Sequence, residues 1–468
     1  MRLRVIAAAN GAADRTALVL PATSGRGAER VSFSALAERV GRVAEVLRQS
    51  GVGPRARVAM WATTREPTLL AILAVMELGA TLVPVHPRLV ATEADTLIRA
   101  ATPVRTFLED DLDELMDRAK AAPMVAAQPP PAPRDPLAIL FTSGSTGRPK
   151  GAILSRAAFL ASEAASEKNL GWRDDDAWLL AMPLCHVGGL SIVTRCIAAR
   201  RTIVLHERFE EAAVLAAIEG GVTLVSVVPT MLKRLLEADS ANVLSRARAV
   251  LVGGAACAPA LLAECATRGV AALTTYGLTE ACSQVTSQRP REPHLAEAGS
   301  GVPLDGTEVA IQDGRIQVRG ATMMDGYLGE RPLAPGAWFD TGDLGELDAD
   351  GRLHVHARRV DLVVTGGENV YPAEVEATLE GCPGVRRALV FGVPDADWGE
   401  LVACALERDP KLDVPEAALH AAMTKVLATY KRPRRVCFVD TLPTIGEKLD
   451  RARGKSMFAG TARPWQRS

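Results

Sequence analysis

Apolar residues recur along the chain in two kinds of run. Leu69 to Leu78 is an apolar stretch of helical length, and Ala80 to Val85 is one of strand length. The pairing returns at Val222 to Val228, which reads as a strand, and Met231 to Leu236, which reads as a helix. Elements alternating in this way predict α/β layering. Ala121 to Pro136, rich in Ala and Pro, interrupts the alternation and reads as a spacer over the surface into a buried strand, Leu137 to Phe141. Beyond about residue 358 the pattern changes to α+β. It predicts a helix from Pro372 to Leu379, strands at Val385 to Gly392 and Leu401 to Glu407, and a helix from Pro415 to Ala428.

Immediately after the strand ending at Phe141 comes TSGSTGRPKG, a turn dense in hydroxyls and glycine with one lysine. Gly144 and Gly147 let the backbone approach a bulky polyanion; Thr142, Ser143, Ser145 and Thr146 supply donors, and Lys150 a compact positive charge. A flexible linker would not follow an apolar run and end in Pro-Lys-Gly. Nor is this a Walker A loop, because the two glycines are three apart and Lys150 is followed by Gly151. A phosphate cradle fits best.

Size and charge narrow the classes. At 468 residues two or more domains are expected, and 54 basic against 55 acidic residues, with no basic stripe, disfavour nucleic acid as a partner. No apolar run is long enough to predict a membrane span, and Asn10 and Asp14 interrupt the N-terminal stretch before a signal-peptide core develops. The eight cysteines are scattered without a CxxC pair, so neither a zinc site nor a disulfide framework is expected. A reducing, cytoplasmic setting fits that usage, and self-association into a homo-oligomer is left open.

Four further motifs follow the phosphate loop in order: Tyr276-Gly277-Leu278-Thr279-Glu280; Thr341-Gly342-Asp343; Arg358 with Asp361; and Gly366-Gly367-Glu368-Asn369 leading into Tyr371, Pro372, Glu374 and Glu376. With that loop, they resemble the adenylate-forming superfamily of acyl-CoA ligases, luciferases and peptide-synthetase adenylation domains, over nearly the whole chain from Val31 to Lys448. The resemblance implies a large N-terminal domain of layered sheets and helices, residues 1–357, that binds AMP and the acid. A small mobile α+β domain, residues 358–468, would swing about Val360. It implies ATP and coenzyme A as co-substrates with Mg²⁺, the loop from Thr142 to Lys150 on the β and γ phosphates, and Thr279 and Glu280 on the α-phosphate. Thr146 and Glu280 would hold the metal, Tyr276 beside Gly277 would stack on adenine, and Asp343 and Arg358 would bind ribose. Gly366 and Gly367 would give the pantetheine arm a close approach. Glu374 and Glu376 read as helix-start residues favoured by the helix dipole.

Attaching AMP to a carboxylate brings two anions together, so electrostatic stabilisation must dominate, and the resemblance implies that a lysine near the C-terminus supplies part of it. Lys448, in Leu442-Pro443-Thr444-Ile445-Gly446-Glu447-Lys448, is the candidate, with Lys455 its competitor. The small-molecule acid should be read from the pocket wall: Met182 to Ser191 with His186, Arg195 nine residues on, VPTMLKRLLE from Val228, and YGLTEACSQVTS from Tyr276. These resemble the 2-succinylbenzoate:CoA ligases of menaquinone biosynthesis, whose substrate carries a second, spectator carboxylate. Arg195 is the candidate partner for it, its alternative being a surface arginine, and Gly253, Gly254, Ala255 and Ser283 would shape the aromatic slot. An aryl or medium-chain acyl-CoA ligase, or an enzyme loading a carrier protein, are the alternatives.

Overall fold

The long apolar runs become the central strands of two large sheets in the computed structural model, which describes residues 3–22, 27–143, 149–255, 257–290, 299–357, 362–409, 412, 415–445 and 448–465. A nine-stranded sheet runs in the order Val302–Pro303, Ser283–Ser287, Ala272–Leu278, Ala249–Val252, Leu224–Val227, Ala177–Leu180, Thr202–Leu205, Thr16–Leu20, Glu29–Ser32. Its middle is parallel and its margins antiparallel. A six-stranded sheet places Thr81–Val85 between Arg57–Trp61 and Pro136–Ser143, with parallel pairing on both sides. The helix Glu66–Glu77 is apolar all round because it is buried all round, from Thr68 to Glu77. This is the predicted α/β layering.

The phosphate-loop strand returns on itself. Pro136–Ser143 pairs antiparallel with Pro149–Ser155, Ser143 opposite Pro149. These two strands form a hairpin, and Gly144, Ser145, Thr146 and Gly147 between them lie outside the described residues. The spacer 122–135 is free of regular structure, as its composition predicts.

From Val363 on, the sheet strands pair among themselves. Gly399–Arg408 is central, flanked by Val385–Asp395 and by Arg435–Val439, and the small hairpin Val363–Thr365/Glu368–Val370 hangs from its edge. Helices Pro372–Glu380 and Glu416–Val426 cover one face and Arg451–Phe458 the other. That is the α+β pattern read from the sequence. Arg358, Val360 and Asp361 lie outside the described residues. Among the described residues no helix is long and apolar enough to cross a membrane.

Candidate active site

Two adjoining cavities of about 210 Å³ each open where the C-terminal part meets the N-terminal sheets, and both touch His186, Gly277, Leu278, Thr279 and Asn369. The first is lined by Thr142, Pro149, Glu280, Tyr327, Phe339, Asp340, Thr341 and Asp343 from the N-terminal part and by Glu368, Tyr371, Tyr430 and Lys431 from the C-terminal part. Its polar groups converge on one side. Tyr327 donates its hydroxyl to Glu280 Oε1 at 2.7 Å, and Tyr276 donates to Asp343 Oδ2 at 2.7 Å. Tyr276 is 4% exposed within the apolar cluster of Ala281, Val285 and Ile316; it stands behind Asp343 and is not one of the lining residues. Lys150 pairs with Glu330 at 2.9 Å and lies over the Tyr327 ring. Oxygen donors of this kind suit Mg²⁺.

The second cavity is built on the helix Val187–Ala199. Its start is pinned by Gly189, where a Cβ would lie 2.3 Å from the Pro183 carbonyl oxygen, so only glycine permits the approach. The helix carries Arg195 into the interior at 3% exposure, against the expectation of a surface arginine that was its alternative. Arg195 donates to Ser162 Oγ at 3.1 Å and stands 5.7 Å from the Trp178 ring, while its Nε has no hydrogen-bond partner. No carboxylate lies within ion-pair distance of it among the described residues, and burial lowers its pKa to about 10, leaving it cationic at neutral pH. A buried cation without an anion is costly unless a ligand supplies one. The other walls are Gly253, Gly254, Val228, Thr275 and Ser283; Ala255 is not among them. Cys282 and Ser283 hold positive φ of 52° and 96°, a conformation uncommon for residues with side chains, where the chain turns back from Thr279–Ala281 into Ser283–Ser287.

The hairpin bearing Gly366 and Gly367 docks onto this mouth. Both glycines have positive φ, and a Cβ on Gly367 would lie 3.3 Å from Val228 while one on Gly366 would strike the Trp398 ring at 2.8 Å. Next to them Glu368, 5% exposed, accepts from His86 Nε2 and His186 Nε2 at 3.0 Å each and from Arg88 at 2.7 Å. Burial opposes its charge, but the two histidines outweigh burial and hold the carboxyl far below its usual range. At His186 desolvation likewise opposes the cation, yet Cys185 and Glu368 raise its pKa well above 6.5; burial lowers that of His86. A second contact across the seam buries Lys431 between Glu93, at 2.8 Å, and Glu374, at 2.6 Å. Glu376 accepts two hydrogen bonds from Arg451 at 2.6 Å. The sequence reading placed both glutamates at a helix start without seeing these partners.

Lys448 belongs to another part of the C-terminal unit. Its backbone pairs with Ile445 in a two-stranded ribbon, and Leu449 packs with Leu389, Phe391 and Ala403 on the sheet face opposite the helix Pro372–Glu380. Lys455 pairs with Glu400 at 3.4 Å. The structure thus brings together Thr142, His186, Arg195, Gly253, Gly254, Gly277, Thr279, Glu280, Ser283, Asp343 and Gly367 at the two cavities. His86, Arg88 and Lys431 were missed, since no local pattern marks a residue whose partner is hundreds of positions away.

With this geometry in hand, comparison with known proteins is informative. Residues 5–328 match the family described as AMP-binding enzyme, and residues 374–448 match the AMP-binding enzyme C-terminal domain. The chain is 41% identical over 334 residues, 68% of each chain, to a 2-succinylbenzoate--CoA ligase of Bacillus pumilus. It superposes with a TM-score of 0.90 at 31% identity, covering 99% of both chains, on a double mutant of o-succinylbenzoate CoA synthetase (MenE) from Bacillus subtilis bound to its product analogue OSB-NCoA. Against the Bacillus subtilis enzyme in complex with the acyl-adenylate intermediate OSB-AMP, the TM-score is 0.73 at 30% identity with the same coverage.

Proposed function

The chain belongs to the AMP-binding enzyme family, and from that premise we propose that it is an AMP-forming acid:CoA ligase converting 2-succinylbenzoate to 2-succinylbenzoyl-CoA in menaquinone biosynthesis. The carboxylate attacks the α-phosphate of ATP and releases pyrophosphate; the thiol of CoA then attacks the acyl-adenylate and releases AMP. The observation that carries the substrate assignment is Arg195, a buried cation lining the second cavity with no carboxylate within ion-pair distance among the described residues, the buried Glu163 acting on it only from further off. The spectator carboxylate of the substrate supplies the missing charge. Gly253 and Gly254 leave room for a flat ring, and Ser283 adds a hydroxyl at its edge.

In the nucleotide cavity, Asp343 held by Tyr276 accepts from ribose, and Thr142, Thr279 and Lys150 face the phosphates. Glu280, with Thr146 from outside the described residues, would hold Mg²⁺, which neutralises phosphate charge when bound. His186 stands at the junction of the two cavities, beside the reacting carboxyl. The superposition at 0.90 on the product-analogue complex, against 0.73 on the acyl-adenylate complex, supports assigning the present arrangement to the thiol-transfer step. Gly366 and Gly367 then flank the thiol path, and Lys448 serves the other arrangement, residues 358–468 moving as a unit about Val360. The test is direct. 2-Succinylbenzoate with Mg·ATP and CoA should give the acyl-CoA, AMP and pyrophosphate, and equal or better turnover of simple benzoates would overturn the assignment of the acid.

A further inference from the structure

The seam contains a set of donors of which the ligase reading uses only His186. His86 follows the strand Thr81–Val85, Cys185 and His186 precede the helix Val187–Ala199, and one ligand atom from each lies within 4.8 Å of the others. Cys185 is a free, buried thiol. Both imidazoles present Nε2 to Glu368, and His86 Nδ1 accepts the Arg88 backbone N–H at 3.0 Å, so its lone pair is on Nδ1. With Nε2 engaged by Glu368, Nδ1 is the His186 nitrogen left to serve the cluster.

We propose that His86, Cys185 and His186 form a binding site for a thiophilic divalent cation of the zinc class, with Glu368 fixing both imidazoles from behind. The donor set of two imidazoles and a thiolate selects zinc over magnesium, which takes oxygen ligands. A histidine that ligates a metal usually donates its other N–H to a carboxylate, and here one buried carboxylate serves two histidines. Tetrahedral zinc places its ligand atoms roughly 3.3–3.6 Å apart, so the donors need close by about 1 Å. The Cys185 proton and the proton on the ligating nitrogen of His186 leave to solvent on binding, and the thiolate with Glu368 balances the ion's charge. Binding exchanges the hydrogen bond from the Arg88 N–H to His86 Nδ1 for a metal–nitrogen bond. A fourth position opens on the nucleotide cavity, which Cys185, His86 and His186 all line.

Glu368 comes from the C-terminal hairpin, so the site is complete only while that hairpin is docked. A bound ion therefore holds the seam closed and inhibits turnover, which needs it to open. This consequence rests on the ligase reading, whereas the binding itself does not.

The experiment uses the full chain in thiol-free, non-chelating buffer. Co²⁺ should give thiolate-to-metal charge-transfer absorption with one ion per chain, and Zn²⁺ should displace it. Cys185→Ser should abolish the band, and His86→Asn should weaken Zn²⁺ binding at least about tenfold. Glu368→Gln should weaken it about 10- to 100-fold, as loss of a carboxylate behind a ligating histidine does. Zn²⁺ should inhibit the unsubstituted enzyme reversibly to EDTA and spare Cys185→Ser. Absence of the band from the unsubstituted chain, or Zn²⁺ binding undiminished in both Cys185→Ser and His86→Asn, would overturn the site. Binding without inhibition would overturn the closed-seam consequence and leave the site standing.

Discussion

Two buried cations a domain apart are treated in opposite ways. Lys431, 5% exposed at the seam, is bracketed by Glu93 and Glu374. Arg195, 3% exposed in the second cavity, has a serine hydroxyl and an indole ring but, among the described residues, no carboxylate within ion-pair distance; the buried Glu163 acts on it from further off. Burying a charge is unfavourable unless it is paired, and the chain meets that demand for Lys431 with its own carboxylates. For Arg195 it leaves the pairing to whatever enters. A cation neutralised across an interface fixes the relative position of two parts of the protein; a cation left open inside a cavity selects a ligand. The first kind joins the C-terminal unit to the N-terminal part, whereas the second is built wholly into the N-terminal part.

The distinction between fixed and movable charge is tested most severely at Lys448. If that lysine acts only when the seam has opened, Lys448→Ala should slow acyl-adenylate formation roughly 100- to 1000-fold or more, while a supplied acyl-adenylate still becomes acyl-CoA at a substantial rate. Gly367→Trp should do the reverse, since an indole at the mouth blocks the thiol. Single-turnover assays of each step read both, and a selective loss from Lys455→Ala would move the role to that residue.

Arg195→Ala should reduce kcat/KM for the dicarboxylate by about 2–5 kcal/mol and barely change that for an analogue lacking the spectator group. Equal losses for both substrates would remove Arg195 from recognition. At the seam, Glu374→Gln leaves Lys431 one carboxylate and should lower stability by about 1–3 kcal/mol in denaturant unfolding without altering the preference for dicarboxylate over analogue. A change in that preference would mean that the two regions are coupled. The mildest test uses pH. Arg195 loses its charge near pH 10, so KM for the dicarboxylate should rise as pH climbs toward that value while KM for the analogue rises less. Parallel profiles would mean that another group carries the dependence.

Much of the architecture was legible because secondary structure follows local periodicity. The helix expected over Leu69 to Leu78 spans Glu66–Glu77, the strand expected over Ala80 to Val85 spans Thr81–Val85, and the C-terminal elements fall where the pattern placed them. The motifs also marked most residues that line the cavities. Tyr276 shows what a motif leaves open: the pattern marks the residue, while its packing with Val285 and Ile316 and its hydrogen bond to Asp343 come from the fold. Cysteine spacing likewise could not group Cys185 with His86, because the two are ninety-nine residues apart and spacing rules see only neighbours.

The sequence by itself determined the order of strands and helices, the phosphate loop, the glycines at tight approaches and the chemistry available to the chain. Only the tertiary structure decided that Arg195 is buried with no carboxylate in ion-pair contact among the described residues, that Lys431 has two, and that Glu368 meets a histidine 282 positions away. The reason is that charge alone carries no address. Whether a cation lies in water, against a carboxylate or facing a cavity depends on which distant segments the fold lays beside it, and burial then sets how strongly that pairing counts.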